Sequence, residues 1–238
     1  MKERPILMSA PMVRACLREV NPKTVTRRIV KNLPERVESI TNIEVIDPVD
    51  GWVVVSETQP RYSMACPYGQ PGDRLWVRET WGHDAESLEH CRASHEDAMG
   101  GSYGPYYRAT EENAGSLRWR PSIHMPRWAS RLSLEITGVK VERLQDISED
   151  DAIREGATWR DFGRQCGHFG GWRDVGICKR EFHPRRNGWT MEPPAASPDF
   201  CMGSARMAFA NLINKINGPE TWDANPWVWC VSFRRVRP

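Results

Sequence analysis

Leu132, Leu134 and Ile136 alternate with polar residues in "RLSLEITGVKVERL", and Val139 and Val141 carry the apolar pattern past Gly138. Successive side chains of a strand point to opposite faces, so this pattern buries one face of a β-strand and does not suit a helix. Gly138 in its middle marks a bent strand or a pair of strands. Similar segments recur along the chain. Ile6 to Met8 form a short strand candidate, and "NIEVID" and "GWVVVSE" read as two β-branched strands joined by a turn at Asp47 to Gly51. In "CPYGQPGDRLWVRETW" a Pro and Gly turn precedes a strand with Leu75 and Val77 facing one way and Trp76 and Arg78 the other. The closing "PWVWCVSFRRV" places Trp227, Trp229, Val231 and Phe233 on one side.

A few helices interrupt these strands. Ser9 is placed to cap a helix with Pro11 near its first turn, and Val13, Cys16, Leu17 and Val20 follow at helical spacing. Asn21 accepts the left-handed conformation that ends a helix and Pro22 prevents its resumption, so "KTVTRR" begins a turn running into a strand. "ISEDDAIREGA" pairs Ser148 with Asp151 as a capping box and predicts a short helix ending at Gly156. "SARMAFANLINKING" predicts an amphipathic helix with Met207, Leu212, Ile213 and Ile216 on or near one face, stopping at Gly218. The fold class is α+β, with a small β-barrel decorated by helices. One domain over 1–238 is expected, with insertions at 83–117 and 158–202, where periodicity gives way to Gly-, Tyr-, Pro- and Arg-rich sequence.

Lys plus Arg total 33 against 31 for Asp plus Glu, so any hold on a polyanion must be local. No apolar run reaches the roughly 20 residues of a membrane helix, and "MKERPILMSAP" lacks the core of a signal peptide. Seven cysteines without a regular framework fit free thiols in a reducing compartment. A cytoplasmic protein without membrane association is expected. There is no Walker loop, no dinucleotide fingerprint and no nucleophile elbow, so nucleotide hydrolysis is unsupported and no cofactor is expected.

Four constellations carry chemistry. "NPKTVTRR" gathers Lys23, Thr24, Thr26, Arg27 and Arg28. A threonine hydroxyl becomes a nucleophile when a neighbouring lysine, desolvated enough to be neutral, takes its proton. The same residues also suit a basic rim for phosphate, with the threonines bonded locally. "RWRPSIHMPRWASR" brings Trp119, Arg120, Arg127 and Trp128 close, a pattern for stacking a base while neutralising phosphate, or for closing a barrel end. In "RETW", Arg78 is a further ligand candidate and Glu79 reads as a buried partner for an arginine. Cys166, His168, Cys178 and His183 are able to bind zinc, although their spacing is not the close Cys-x-x-Cys kind, and free thiols in a polar loop are the simpler reading. His83, His90, Cys91 and His95 are read as part of a solvated helix.

The order of elements, with "PILMSAPMVRA", "KTVTRR", "PGDRLWVRETW", "LEITGVKVERLQDISEDDAIREG" and "WDANPWVW", resembles an ASCH domain, a branch of the PUA-like β-barrels, in its long phage and prophage version. The resemblance spans 1–82, 118–157 and 203–236. It implies a protein of the bacterial host cytoplasm that holds RNA or a modified nucleoside or nucleobase in a basic cleft. ASCH amidohydrolases acting on 4-acetylcytidine use a lysine and a threonine from the Lys-Thr-x-Thr segment and a glutamate from the later helix, which correspond to Lys23, Thr26 and Glu155. Binding is the first reading, amidohydrolysis the alternative, and ribonuclease activity a weaker one. The chain departs from its relatives in having Asn21 and Pro22 where a glycine and a basic residue usually stand, which removes one cation from the rim.

Overall fold

The computed structural model describes residues 1–31, 52–55, 62–84, 88–96, 104–111, 117–168, 172–176, 178–191 and 198–236. In chain order the first half contains β1 (Glu3–Leu7), α1 (Ala10–Leu17), β2 (Val25–Ile29), β3 (Trp52–Val55), β4 (Tyr62–Ala65), β5 (Arg74–Arg78), β6 (Trp81–His83), α2 (Leu88–Glu96), β7 (Tyr106–Tyr107) and β8 (Arg118–Arg120). The second half contains β9 (Ser133–Arg143), α3 (Glu149–Arg154), β10 (Thr158–Cys166), β11 (Arg173–Asp174), β12 (Arg185–Thr190), α4 (Ala205–Asn217), α5 (Thr221–Ala224) and β13 (Trp227–Val236).

The alternating segment becomes β9, a single strand of 11 residues. It is central to a five-stranded sheet of order β1-β5-β9-β13-β2, in which only the β1–β5 pair is parallel. Ile136 stands opposite Phe233 and Gly138 opposite Ser232, so Thr137 is an extra residue on β9. A bulge of one residue reverses the facing of everything beyond it. That is why the inward positions pass from Leu134 and Ile136 to Val139 and Val141, which pack against the same core.

Both faces of this sheet are covered. Trp227, Trp229, Val231 and Phe233 share one core with Ile6, Val13, Cys16, Leu75 and Leu134. Val228 points the other way, into a second core with Ala152 of α3 and Phe209, Leu212 and Ile213 of α4. Full burial of each large apolar side chain contributes roughly 1.5–3 kcal/mol, so β13, buried on both faces, is a main anchor of the fold. The buried stripe of α4 is Ala205, Ala208, Phe209, Leu212 and Ile213, and Met207 and Ile216 face solvent at 56% and 51% exposure. The alanines, not the larger flanking residues, let the helix approach the sheet closely.

The α+β class stands, but among the described residues no sheet closes into the expected barrel. β1 and β2 are the two edges, and α1 connects them. Val13 and Cys16 of α1 enter the first core where strand closure would otherwise occur, and an Arg28 Nη2 donates to the Leu7 carbonyl at 2.6 Å in place of a ladder.

Around this sheet lie a two-stranded antiparallel β3–β4 sheet, a three-stranded β7-β6-β8 sheet and a three-stranded β11-β10-β12 sheet. "NIEVID" lies outside the described residues, and "GWVVVSE" contributes β3, paired with 62–65. Sequence 158–202, read as a Gly-, Pro- and Arg-rich insertion, includes the β11-β10-β12 sheet, bulged between Asp161 and Arg164. Among the described residues no helix is long and apolar enough to cross a membrane.

Candidate functional site

The segment after α1 is fixed by its turn. Asn21 adopts the left-handed conformation at φ +48°, which asparagine tolerates better than most residues. The chain then docks on two helices at once: the Lys23 N–H donates to the Ala15 carbonyl and the Thr24 N–H to the Arg154 carbonyl, each at 2.9 Å. From the other side, Ser148 caps α3 by accepting the Asp151 N–H at 3.1 Å. Gly156, at φ +119°, turns the chain away, and a Cβ there would meet the Ala15 Cβ at 3.0 Å. Glu155 is thereby held at the junction of α1, β2 and α3.

At this junction the Lys23 Nζ donates to the Glu155 Oε2 and, at 2.8 Å, to the Glu155 backbone carbonyl. Arg27 reaches three carboxylates: Glu142 Oε1 at 2.8 Å from Nε, Asp151 Oδ2 at 2.8 Å from Nη2 and Glu155 Oε1 at 3.4 Å from Nη1. Lys140 adds an ion pair to Glu142 at 2.5 Å. With the exposed Arg154 at 3.7 Å from Asp151, four cations face three carboxylates. The Lys23 and Arg27 side chains are fully buried and that of Glu155 is 2% exposed. Burial disfavours the charge on Arg27, but the Glu155 and Glu142 carboxylates outweigh it and hold its pKa above the ordinary value. Thr26 is also fully buried, and its Oγ1 has no hydrogen-bond partner.

Lys23 and Glu155 therefore meet across more than a hundred residues of sequence, whereas Thr26 stands opposite Val231 of the first core. Lys23 is bonded to Glu155 and not to the Thr26 hydroxyl, and Glu155 is not the surface partner of Arg154 that its helix-end position also allowed. Arg27 does not face phosphate, because three carboxylates consume its donors. Arg28 spans to β1, and Thr24 is half-buried with its carbonyl accepting the Phe233 N–H at 2.8 Å.

The remaining predicted ligand residues gather around two tryptophans. The Arg78 and Arg127 guanidinium groups lie 5.5 and 5.9 Å from the Trp76 ring, and Arg127 is also paired with Glu3 at 3.0 Å. Arg120 lies 5.9 Å from the Trp81 ring, Trp128 meets Trp81 edge-on, and Trp119 lies under Arg108. Trp81 is fully buried and Trp128 packs against its cluster, so these two build a local core. Glu79 is the buried arginine partner expected of it, accepting two bonds from Arg131 at 2.9 and 3.0 Å.

A cleft of about 610 Å³ opens beside the buried cluster, lined by Arg14, Leu17, Arg18, Arg108, Thr110 and Glu111. Arg14 Nη1 donates to the Ala109 carbonyl at 3.3 Å across it, and Arg18 Nη1 donates at 3.1 Å to the carbonyl of Gly156, the residue after Glu155. Sequence reading passed over this cleft. The signal available was Arg14 and Arg18, four apart and so on one helical face next to the apolar stripe.

Burial pushes the Cys16 thiol up to about 11 and the Cys230 thiol up to about 12. Below pH 9 these thiols are neutral whether the chain is folded or unfolded. Above it the unfolded chain ionises first, so stability is lost as pH rises from 9 toward 11–12. The urea midpoint is expected to fall across that window, and to fall less steeply in Cys230→Ala.

Among the described residues one group of metal-binding side chains converges, Cys166, His168, Cys178 and His183, with one ligand atom from each lying within 4.8 Å of all the others. His83, His90, Cys91 and His95 form no such group among the residues described; α2, which carries the last three, exposes His90 and buries Cys91, and the His95 side chain lies outside the description. Against known protein families, curated proteins and solved structures, the chain finds no match.

Proposed function

We propose that the chain is an ASCH-like module of the PUA-like kind, of phage or prophage origin, which binds RNA or a modified nucleobase. The observation that carries this reading is the arginine-lined cleft between α1 and residues 108–111, joined by Arg18 to the buried Lys23–Glu155 pair. Its volume falls within the roughly 300–1,000 Å³ of small-ligand sites. Arg14, Arg18 and Arg108 supply charge for phosphate, and Thr110 and Glu111 supply acceptors for a base edge. Lys23, Glu155 and Arg27 hold α1, β2 and α3 in register behind the cleft. Fluorescence titration with short single-stranded RNA, repeated at two salt concentrations, tests the reading. Binding is expected to weaken with salt, and Arg14→Ala and Arg18→Ala each to weaken it further and reduce the salt slope by about 1. Equal affinity of these variants and the wild type would place the ligand elsewhere.

Amidohydrolysis of 4-acetylcytidine or a related acylated nucleoside is the second reading, favoured by the buried, unpartnered Thr26 hydroxyl and by the Lys23–Glu155 pair at the start of the same segment. In it the Thr26 oxygen adds to the acyl carbonyl, its proton passes to the pair, and the pair protonates the departing exocyclic nitrogen. Water then hydrolyses the acyl-threonine ester. Since Lys23 and Thr26 are fully buried, the junction must open toward the cleft for substrate to reach them. Mass-spectrometric turnover of 4-acetylcytidine by the wild type and not by Lys23→Ala would favour this reading over binding alone. Cleavage of RNA under the same comparison would favour a ribonuclease.

A further inference from the structure

The four Cys and His side chains converge where the described residues bury little apolar surface. Cys166 ends β10, His168 follows in the next turn, and Cys178 and His183 lie in the irregular stretch between β11 and β12. Among the described residues from 172 to 184 none is buried, and Phe182 is 74% exposed. Backbone support comes from a turn in which the Cys178 N–H donates to the Val175 carbonyl at 3.1 Å and from the Gln165 N–H on the Pro184 carbonyl at 3.0 Å. The Gln165 side chain braces the same region by donating to the Phe162 carbonyl and the Asp174 carboxylate. Such a segment has too little apolar contact to order itself against chain entropy.

The side-chain geometry is that of a closed metal site. His168 Nδ1 lies 3.6 Å from the Cys166 Sγ and 3.5 Å from the Cys178 Sγ. Zinc–sulfur bonds near 2.3 Å and zinc–nitrogen bonds near 2.0–2.1 Å give tetrahedral S···N edges of about 3.6 Å. The His183 ring stands 5.4 Å from the His168 ring, and its Nε2 is buried without a hydrogen-bond partner. Hydrogen bonding alone leaves that nitrogen unsatisfied and sets two thiols against one ring nitrogen, whereas a tetrahedral cation uses all four donors. Two sulfurs with two imidazoles select zinc over the hard cations magnesium and calcium.

We propose that Cys166, His168, Cys178 and His183 bind one structural zinc ion that fastens the 172–184 segment to the end of β10. The four protein ligands complete the tetrahedron, so the ion holds the fold and has no open position for chemistry. The neighbouring Arg173, Lys179 and Arg180 line a recess of about 560 Å³ at this site, and the metal fixes where those cations stand.

The test is elemental analysis of the purified full chain, with cobalt(II) exchange as a spectroscopic second measurement. About one zinc per chain is expected, and the cobalt form should show the intense visible bands of a tetrahedral thiolate site. Cys178→Ser and His183→Ala should each weaken metal affinity by more than the roughly 10–100-fold typical of losing an outer partner of a ligand, whereas Cys201→Ser should keep full stoichiometry. Chelation should speed tryptic cleavage after Lys179 and Arg180 by loosening the backbone around them, a readout that needs no variant to fold. A chain that takes up neither zinc nor cobalt, or ligand variants with full metal content, would overturn the proposal. Iron or copper in place of zinc would overturn the assignment of the ion. None of these residues lines the cleft beside α1, so either proposal can fail without the other.

Discussion

Glu155→Ala is expected to lower the free energy of unfolding by about 3–5 kcal/mol at neutral pH, because it leaves the buried Lys23 ammonium without its carboxylate. Lys23 retains the backbone carbonyl of residue 155 as an acceptor, and Arg27 retains Glu142 and Asp151, so Lys23 carries most of the loss. Urea unfolding with an unchanged slope measures it. A loss under about 1 kcal/mol would show that Lys23 reaches water once its partner is gone. The companion variant, Lys23→Met with Glu155→Leu, removes both charges while keeping side-chain volume. Replacing a buried ion pair in this way is commonly neutral or stabilising by about 1–4 kcal/mol. If the double variant is as stable as the wild type and no longer binds or turns over its ligand, the pair is kept for function. If it is less stable and still binds, the pair belongs to the scaffold and the cleft works without it.

Arg131→Ala carries the second large effect, with a pH dependence that identifies its cause. Glu79 is 1% exposed, and burial holds its pKa above the ordinary carboxylate value despite the two bonds from Arg131. Without the guanidinium, the buried carboxylate bears its full desolvation cost. At acid pH, below the carboxylate range, Glu79 is protonated in both folded and unfolded chains and the variant should lie close to the wild type. As pH rises through that range the unfolded chain ionises first, so the deficit grows and reaches about 3–5 kcal/mol by neutral pH. Parallel urea titrations of the two proteins across that range test this. A deficit independent of pH would assign the loss to packing instead, since the Arg131 guanidinium lies 4.0 Å from the Tyr107 ring centroid.

Several parts of the site were legible because their signals are local. The Ser148 cap and the Gly156 turn each act within one helical turn and stand where the residues placed them, whereas α1 ends at Leu17, before the Asn21–Pro22 stop expected to end it, although Asn21 does take the left-handed conformation. Glu79 was legible as an arginine's partner because a carboxylate among tryptophans must be paired, but the choice of Arg131 depends on how the chain from β8 to β9 packs against β5. The role of Arg27 was not legible. Nothing in "KTVTRR" separates a phosphate-facing arginine from a buried one, and the decision lies with Glu142 and Asp151, more than a hundred residues away. The cleft beside α1 was missed for the same reason: Arg14 and Arg18 acquire a wall only when residues 108–111 arrive opposite them.

What the sequence determined by itself is the set of elements with a short period: β9 from its alternation, β13 from its tryptophans, and the helix ends marked by Ser148, Gly156 and Gly218. Their physics is steric and local, and it is complete within a few residues. Only tertiary structure decided whether the sheet closes, which cations are consumed by carboxylates and that Cys166, His168, Cys178 and His183 converge. Those outcomes depend on long-range packing: α1 packs into the first core between the edge strands in sequence, β13, buried on both faces, pairs with β2 and β9, and Glu155 at the end of α3 meets Lys23.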